Sequence, residues 1–138
     1  MVLSQGTLEF STSPKSFLDI TKEVQNFVSE SNIQDGVCNL FIKHTSASLV
    51  IQENYDPSVR KDFENIFSKL APEDFPYVHN MEGKDDMPAH IRSALTSTSE
   101  TIPIVNEKLS LGTWQGIYIW EHRDQTHNRK VMVSMIGE

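Results

Sequence analysis

From Trp114 to Ile136 the side chains alternate in character with a period of two on either side of the polar stretch Asp124–Asn128. That period belongs to extended chain, in which successive side chains point to opposite faces. The run therefore reads as two strands, Trp114–Glu121 and Arg129–Ile136, joined by a hairpin loop. In the first strand Trp114, Gly116, Tyr118 and Trp120 share one face, and Gln115, Ile117, Ile119 and Glu121 share the other. In the second, Val131, Val133 and Met135 alternate with polar residues or Met132. Gly116 inside the first strand signals a bulge or a close backbone approach. A hairpin pairs antiparallel, so the chain is committed to an antiparallel sheet at its C-terminal end.

The rest of the chain supplies further strands and three helices. Residues 5–12 alternate loosely as a first strand, Pro14 breaks it, and Ser16–Ile20 form a short second one. Thr21 predicts the N-cap of a helix reaching Glu30, with Val24, Phe27 and Val28 on one face and Asn32–Gly36 closing it. Val37–His44 reads as a strand with Cys38, Leu40 and Ile42 on one side, and the same alternation places His44 there too. A histidine in that position is either a core side chain bonded to a carbonyl or a site residue. Leu49–Asn54 is the next strand, with Glu53 extending the Leu49/Ile51 face. If the two strands form a hairpin, His44 lies near the turn and Glu53 at the far end.

Asp56-Pro57 is a strong helix start, and Val59, Phe63, Ile66, Phe67 and Leu70 continue it as an apolar stripe. Arg60, Lys61, Asp62 and Glu64 then fall on a solvated face. Near the C-terminal half, Pro103 limits Ile102–Val105 to an edge or an end, and Asn106-Glu107 reads as a turn before Lys108–Leu111. The whole is α+β, a single domain over 1–138 with an antiparallel sheet or sandwich.

The chemistry is densest between His79 and Leu95. Two histidines and the carboxylates Glu82, Asp85 and Asp86 lie within twelve residues, with Gly83 as a turn. A short helix follows, with Pro88 at its first position, Asp86 or Met87 as its cap, and Ile91, Ala94 and Leu95 as its apolar stripe. His90 flanks that stripe. An acidic loop running into a histidine-bearing helix suits a cation, since carboxylates favour Mg²⁺ and imidazoles favour zinc-like metals. The eleven-residue gap between the histidines matches no standard zinc spacing.

A net charge of −7 argues against a sequence-independent nucleic-acid binder. No stretch reaches the length of a membrane span. The N-terminus shows no secretory pattern and Cys38 is the one cysteine, so no intrachain disulfide forms and the expected location is the cytoplasm. Cys38, on an apolar strand face, reads as core rather than as a nucleophile.

Four segments together resemble the YjbQ family: H-T-S-A-S-L at 44–49, E-N-Y-D-P at 53–57, H-N-M-E-G-K-D-D-M-P-A-H-I at 79–91 and L-G-T-W-Q-G-I at 111–117. The resemblance implies an antiparallel β-sandwich with two or three helices, assembled as a homotrimer with sites near the subunit interfaces. Glu53 would then meet a neighbour's histidine. It implies histidines at His44, His79 and His90, acids at Glu53, Asp56, Asp62, Glu82 and Glu121, and an arginine at Arg129, all present here. His122 and His127 fall outside these motifs and are expected at the surface.

The activity implied is a low-level thiamine-phosphate synthase, joining hydroxymethylpyrimidine diphosphate to a thiazole phosphate with release of pyrophosphate. Such a reaction needs a divalent cation, Mg²⁺ or Zn²⁺, on the diphosphate and positive groups around its oxygens. His44, His79 and His90 are the expected metal ligands, supported by Glu82, Asp85 and Asp86. Arg129, Lys130, Thr45 and Ser46 would bind phosphate, Trp114 would form an aromatic wall, and Glu53, Glu82 and Glu121 would serve the chemistry. The partner is then a small phosphorylated substrate. Two other classes fit the same residues. One is a metal-dependent hydrolase with Glu53 or Glu121 as base, and the other is a trimeric protein that binds a phosphate-bearing metabolite without turnover.

Overall fold

Strand β3 (Gly36–Ile42) sits at the centre of the larger sheet in a computed structural model covering residues 1–138. Its alternation is as expected: Cys38, Leu40 and Ile42 are buried, while Val37 and Phe41 face out. The five-stranded sheet runs β1–β8–β3–β5–β6, comprising β1 (Val2–Ser11), β5 (Ser99–Val105), β6 (Lys108–Leu109) and β8 (Asn128–Gly137) around β3. A three-stranded sheet of β2 (Phe17–Asp19), β7 (Gln115–Glu121) and β4 (Ala47–Glu53) faces it. All pairings within these sheets are antiparallel. One apolar core unites Ala47, Leu49, Ile117 and Ile119 from the small sheet with Leu40, Ile102, Val131 and Met135 from the large one.

The alternation located both C-terminal strands but not their partners. β7 and β8 form no hairpin, because β7 pairs with β2 and β4 whereas β8 pairs with β1 and β3. The segment between them carries the chain from one sheet to the other, and the step from β3 to β4 does the same. β7 also runs in unbroken register past Gly116, without a bulge. The glycines that must be glycine lie elsewhere, at the facing pair Gly36 and Gly137. A Cβ on Gly36 would press on the Ile136 carbonyl, and one on Gly137 on the Asp35 carbonyl, well inside contact distance. At Gly116 it would meet only side chains, Asn54 Cβ at 3.1 Å and the Tyr118 ring at 3.2 Å.

Helix α1 (Thr21–Ser31) closes the core with Val24 and Val28 and ends at Asn32 in the left-handed conformation. Thr21 is not its cap. The Asp19 carboxylate accepts the Thr21 N–H at 2.9 Å, and the Thr21 hydroxyl accepts the Ile117 N–H at 2.8 Å, pinning the helix start to β7. The β5–β6 turn is as read, with Asn106 and Glu107 both at positive φ.

Helix α2 (Pro57–Leu70) begins as the sequence dictates, with Asp56 Oδ1 accepting the Ser58 N–H at 2.9 Å. Its packing differs from the apolar-stripe expectation. Ile66 and Leu70 are exposed, while Arg60 and Glu64 turn inward with Phe63 and Phe67. The outer face of β7 explains this, because it presents Tyr118 and Trp120 as well as apolar area. Arg60 donates to the Tyr118 hydroxyl at 3.0 Å, and Glu64 accepts the Trp120 indole N–H at 3.3 Å.

Helix α3 (Asp86–Leu95) starts two residues before Pro88. Asp86 is therefore inside the first turn rather than capping it. The buried face is Asp86, Ala89, Arg92 and Ser93, while Ala94 and Leu95 are exposed. Arg92 reaches Glu64 with both carboxylate oxygens at 2.8 and 3.0 Å, and this paired guanidinium occupies the place the periodicity assigned to leucine. No helix is long and apolar enough to cross a membrane.

Candidate functional site

The turn at Gly83 (φ +103°) delivers the chain into α3, and the helix places Asp86 and His90 four residues apart on one face. His79, from the preceding loop, returns to the same point. His79 Nε2 lies 2.9 Å from Asp86 Oδ2, and His90 Nε2 lies 3.3 Å from that same oxygen. One ligand atom from each of the three residues falls within 4.8 Å of the others, the spread of ligands around one metal ion. Asp86 is buried, whereas both histidines reach solvent.

The outer contacts orient this group. His90 Nδ1 lies 3.0 Å from the Thr45 carbonyl, which only accepts, so Nδ1 carries the proton and Nε2 presents its lone pair. That lone pair faces a carboxylate oxygen, so the arrangement calls for a positive charge between them, a second proton or a cation. Arg123 holds the other side of Asp86, with Nη1 at 3.0 Å from Oδ1. Its Nε donates to Asp85 at 2.8 Å and its Nη2 to the Glu82 carbonyl at 3.0 Å. Burial alone would raise the Asp85 carboxyl, but Arg123 and the Asp124 N–H outweigh it and the net shift is downward. Glu82 approaches His79 Nε2 to 3.5 Å and is largely exposed.

Beside this cluster lies a buried network at the crossing of the two sheets. Arg129 donates from Nε to Glu121 Oε1 at 2.7 Å, from Nη2 to Glu121 Oε2, and from Nη2 to the Ser46 hydroxyl at 3.0 Å. Thr12 donates to Glu121 at 2.6 Å, and the Arg123 N–H does so at 3.1 Å. Glu121 is wholly buried, which by itself would raise its carboxyl. These donors win, and its pKa is lowered. His44 Nε2 accepts the Lys130 N–H at 2.8 Å, and its Nδ1 lies 3.3 Å from Arg129. Burial and the adjacent Arg129 charge push the His44 pKa down.

The expected site residues thus separate. His79 and His90 converge, and the third member is Asp86 rather than His44. His44 lies across a shallow hollow of about 320 Å³ that it lines with His90 and Thr45, its Nε2 already engaged by the backbone. Arg129 and the Ser46 hydroxyl are turned into the network with Glu121, and Thr45 contributes its carbonyl. Glu53 and Trp114 are remote. β4 and β7 pair Ala47 with Glu121 at one end and Glu53 with Gln115 at the other, about 20 Å apart at ~3.3 Å per residue. There Trp114 packs exposed against Tyr55, with ring centroids 5.0 Å apart.

Arg123 and His122 are the residues the sequence reading missed. His122 was expected at the surface, yet it is 1 % exposed, with Nε2 at 2.9 Å from Ser48 Oγ. The strand period would have placed it on the Trp120 side, but a lone histidine beyond a strand end carries no mark of burial. His127 stays half-exposed, bonded to the Gln125 carbonyl.

Comparison with known proteins finds relatives that match nearly the whole chain. The family described as UPF0047 protein YjbQ-like matches residues 6–138. A UPF0047 protein of Synechocystis sp. is 53% identical over 135 residues, covering 97% of this chain and 92% of its own. The YjbQ protein of Salmonella typhimurium is 42% identical, covering 97% and 98%. The crystal structure of an uncharacterised conserved YjbQ/UPF0047 protein from Clostridium acetobutylicum superposes with a TM-score of 0.87 at 41% identity, covering 94% of this chain and 98% of that one. The chain belongs to the YjbQ-like UPF0047 family.

Proposed function

We propose that the protein is a divalent-metal-dependent enzyme acting on a small phosphorylated substrate, with thiamine-phosphate synthase chemistry as its specific reaction. The observation that carries the reading is the His79–Asp86–His90 group, two imidazoles and one carboxylate within ligand distance of a common point. Two nitrogen donors and one hard oxygen suit Zn²⁺ or a similar ion and leave coordination positions open. A cation held there would neutralise diphosphate oxygens as pyrophosphate leaves.

The chain's own residues prepare the site. The Thr45 carbonyl fixes the His90 tautomer, and Arg123 fixes the Asp86 carboxylate. Glu82 is the nearby acid free to take or give a proton, since Glu121 is held ionised by Arg129 and Thr12. This favours Glu82 over Glu121 or Glu53 as the base in the hydrolase version of the reading.

Assembly belongs to the same proposal. The outer face of the large sheet exposes Leu3, Val37, Phe41 and Ile136, and such an apolar face suits contact between copies in a homotrimer. In that assembly Glu53 and Trp114, remote within one chain, would complete a neighbour's site. The cytoplasm is the proposed location, a reducing setting for the free buried Cys38.

The test compares wild type with His90→Ala. Zn²⁺ and Mg²⁺ binding is followed by calorimetry, and pyrophosphate release is measured from hydroxymethylpyrimidine diphosphate with thiazole phosphate. The expected result is loss of metal binding and a rate lower by about 10²–10³, with the melting temperature nearly unchanged. Metal binding with no pyrophosphate release in wild type would replace the transferase by the hydrolase or binding reading. Unchanged metal affinity in His90→Ala would remove the site itself.

A further inference from the structure

The largest cavity lies away from the histidine cluster, on the other side of the α3 N-terminus. It encloses about 580 Å³ between the C-terminal end of α2, the loop that follows it and α3, with Lys15 closing one side. His122 lines it, and His122 Nδ1 is the single buried side-chain polar atom in the protein without a hydrogen-bond partner. Leaving such an atom unpaired costs about 1–3 kcal/mol. A group retained at that cost in a cavity wall asks for an occupant.

The surrounding hydrogen bonds decide what kind. Ser48 is fully buried, and the only partner of its hydroxyl is His122 Nε2 at 2.9 Å. If Nε2 carried the proton, the hydroxyl hydrogen would be a second buried orphan. The hydroxyl therefore donates to Nε2, and Nδ1 bears an N–H. An imidazole holds its nitrogens on opposing edges, so this N–H points away from β4.

Arg92 adds a second donor. Its Nη1 and Nη2 are spent on Glu64 and Ser68, but its Nε–H has no protein partner. Lys69 adds an ammonium at the exposed rim. The lining acids are mostly committed: Glu73 to Lys15 at 2.6 Å, and Asp85 to Arg123 at 2.8 Å and the Asp124 N–H at 2.9 Å. Asp74, at the exposed rim, is the acid left over. The uncommitted groups on the buried lining residues His122 and Arg92 are donors, and what they lack is an acceptor.

We propose that this cavity is a second binding site, for a small molecule presenting an oxyanion, carboxylate or phosphate, to His122 Nδ1–H and Arg92 Nε–H. It is separate from the histidine cluster and does not depend on metal there. Arg123, which contacts both Asp85 in the cavity wall and Asp86 in the cluster, is the covalent neighbour of His122 and links the two.

The test uses the full chain labelled with ¹⁵N-histidine, titrated with sodium acetate and, separately, inorganic phosphate. Free protein should show His122 protonated at Nδ1. One or both probes should shift that resonance saturably, and the probe that binds more tightly identifies the headgroup. The double variant Ser48→Ala/His122→Phe removes both partners of the buried hydrogen bond together, the change least damaging to folding. It should weaken the better probe at least about tenfold, corresponding to ~1.4 kcal/mol, as read by calorimetry. Lys69→Ala, at an exposed position, should weaken it severalfold and keeps the test open should the double variant misfold. No saturable shift with either probe, a shift confined to His79 and His90, or undiminished binding in the variants would overturn the proposal, and water would then fill the cavity.

Discussion

Lowering the pH from 7 to 5 should destabilise this protein by an amount that can be assigned to His122. Burial, reinforced by the Arg92 and Arg129 charges, holds its pKa down at about 3, against 6.5 for a free histidine. The folded state therefore refuses a proton that the unfolded chain accepts. Stability from this group is complete above pH 6.5 and is lost as pH falls towards the folded value. Between those limits the slope is about 1.4 kcal/mol per pH unit. The interval from 6.5 to 5 then removes about 2 kcal/mol. For a chain of 138 residues this lowers the melting temperature by roughly 7 °C. The amount does not depend on the exact folded value, provided it stays below about 4. Urea denaturation of wild type and Ser48→Ala/His122→Phe at pH 7, 6 and 5 isolates the effect, because every other titrating group is common to both. Wild type should lose about 2 kcal/mol more than the variant across the range. Parallel pH profiles would show that His122 is solvated or charged in the native protein, and the tautomer argument would fall with it.

Glu121→Gln should cost about 3–5 kcal/mol, because it leaves Arg129 buried with its charge uncompensated; a loss under about 1 kcal/mol by urea denaturation would mean water reaches the pair. Because Glu121 and Asp85 have lowered carboxyl pKa values, their contribution is full above the ordinary carboxylate range and disappears as pH falls through their depressed values; an acid limb below pH 4.5 that Glu121→Gln leaves unchanged would contradict this. Gly137→Ala should destabilise by about 3 kcal/mol through contact with Asp35 and Gly36, whereas Gly116→Ala, facing only side chains, should be milder; equal melting temperatures for the two would refute the ranking. Arg123→Ala should weaken Zn²⁺ binding about 10–100-fold by releasing Asp86, and unchanged affinity by calorimetry would show that the carboxylate needs no such support.

Local chemistry was legible at several points, though not at the caps of α1 and α3, where Ile20 and Asp85 stand in place of Thr21 and Asp86. Asp56-Pro57 starts α2, Asn106-Glu107 turns the chain, and the alternation of Cys38, Leu40 and Ile42 gives the inward face of β3. Strand pairing was not legible, because a period of two names a face and never a neighbour. Asp124–Asn128 looks like a hairpin loop by composition, yet β8 finds longer ladders with β1 and β3, ten and seven residues respectively. Helix faces misled for a different reason. Counting apolar residues assumes that buried means apolar, but α3 buries Asp86 and Arg92, each matched to an opposite charge, and exposes Leu95. The eleven-residue gap between His79 and His90 matches no zinc spacing, yet the two expected ligands meet because a loop closes the distance, with Asp86 rather than His44 as the third member.

Three of the crossings between sheets, from β1 to β2, β3 to β4 and β7 to β8, explain why the polar residues collect where they do. Thr12 follows the end of β1, His44 follows β3, Ser46 precedes β4, Glu121 ends β7 and Arg129 is the second residue of β8. Each of these three segments leaves one sheet for the other at this edge, and backbone groups there lose their ladder partners. Ser46 shows the consequence: its carbonyl and hydroxyl are both taken up by Arg129, at 3.3 and 3.0 Å. A buried guanidinium with several donors is suited to closing such a seam, and it needs Glu121 to carry its charge. The Glu121–Arg129 pair is thus a clamp between sheets, and its position sets that of its neighbours. Through Ser46 it fixes the 44–47 segment, whose Thr45 carbonyl orients His90 and whose Ala47 carbonyl accepts the Ser93 hydroxyl of α3. The acids and bases gathered at this edge therefore divide by burial into two kinds. Glu121, Arg129 and Thr12 hold the crossing together, while His79, His90 and Glu82 stand on it facing solvent.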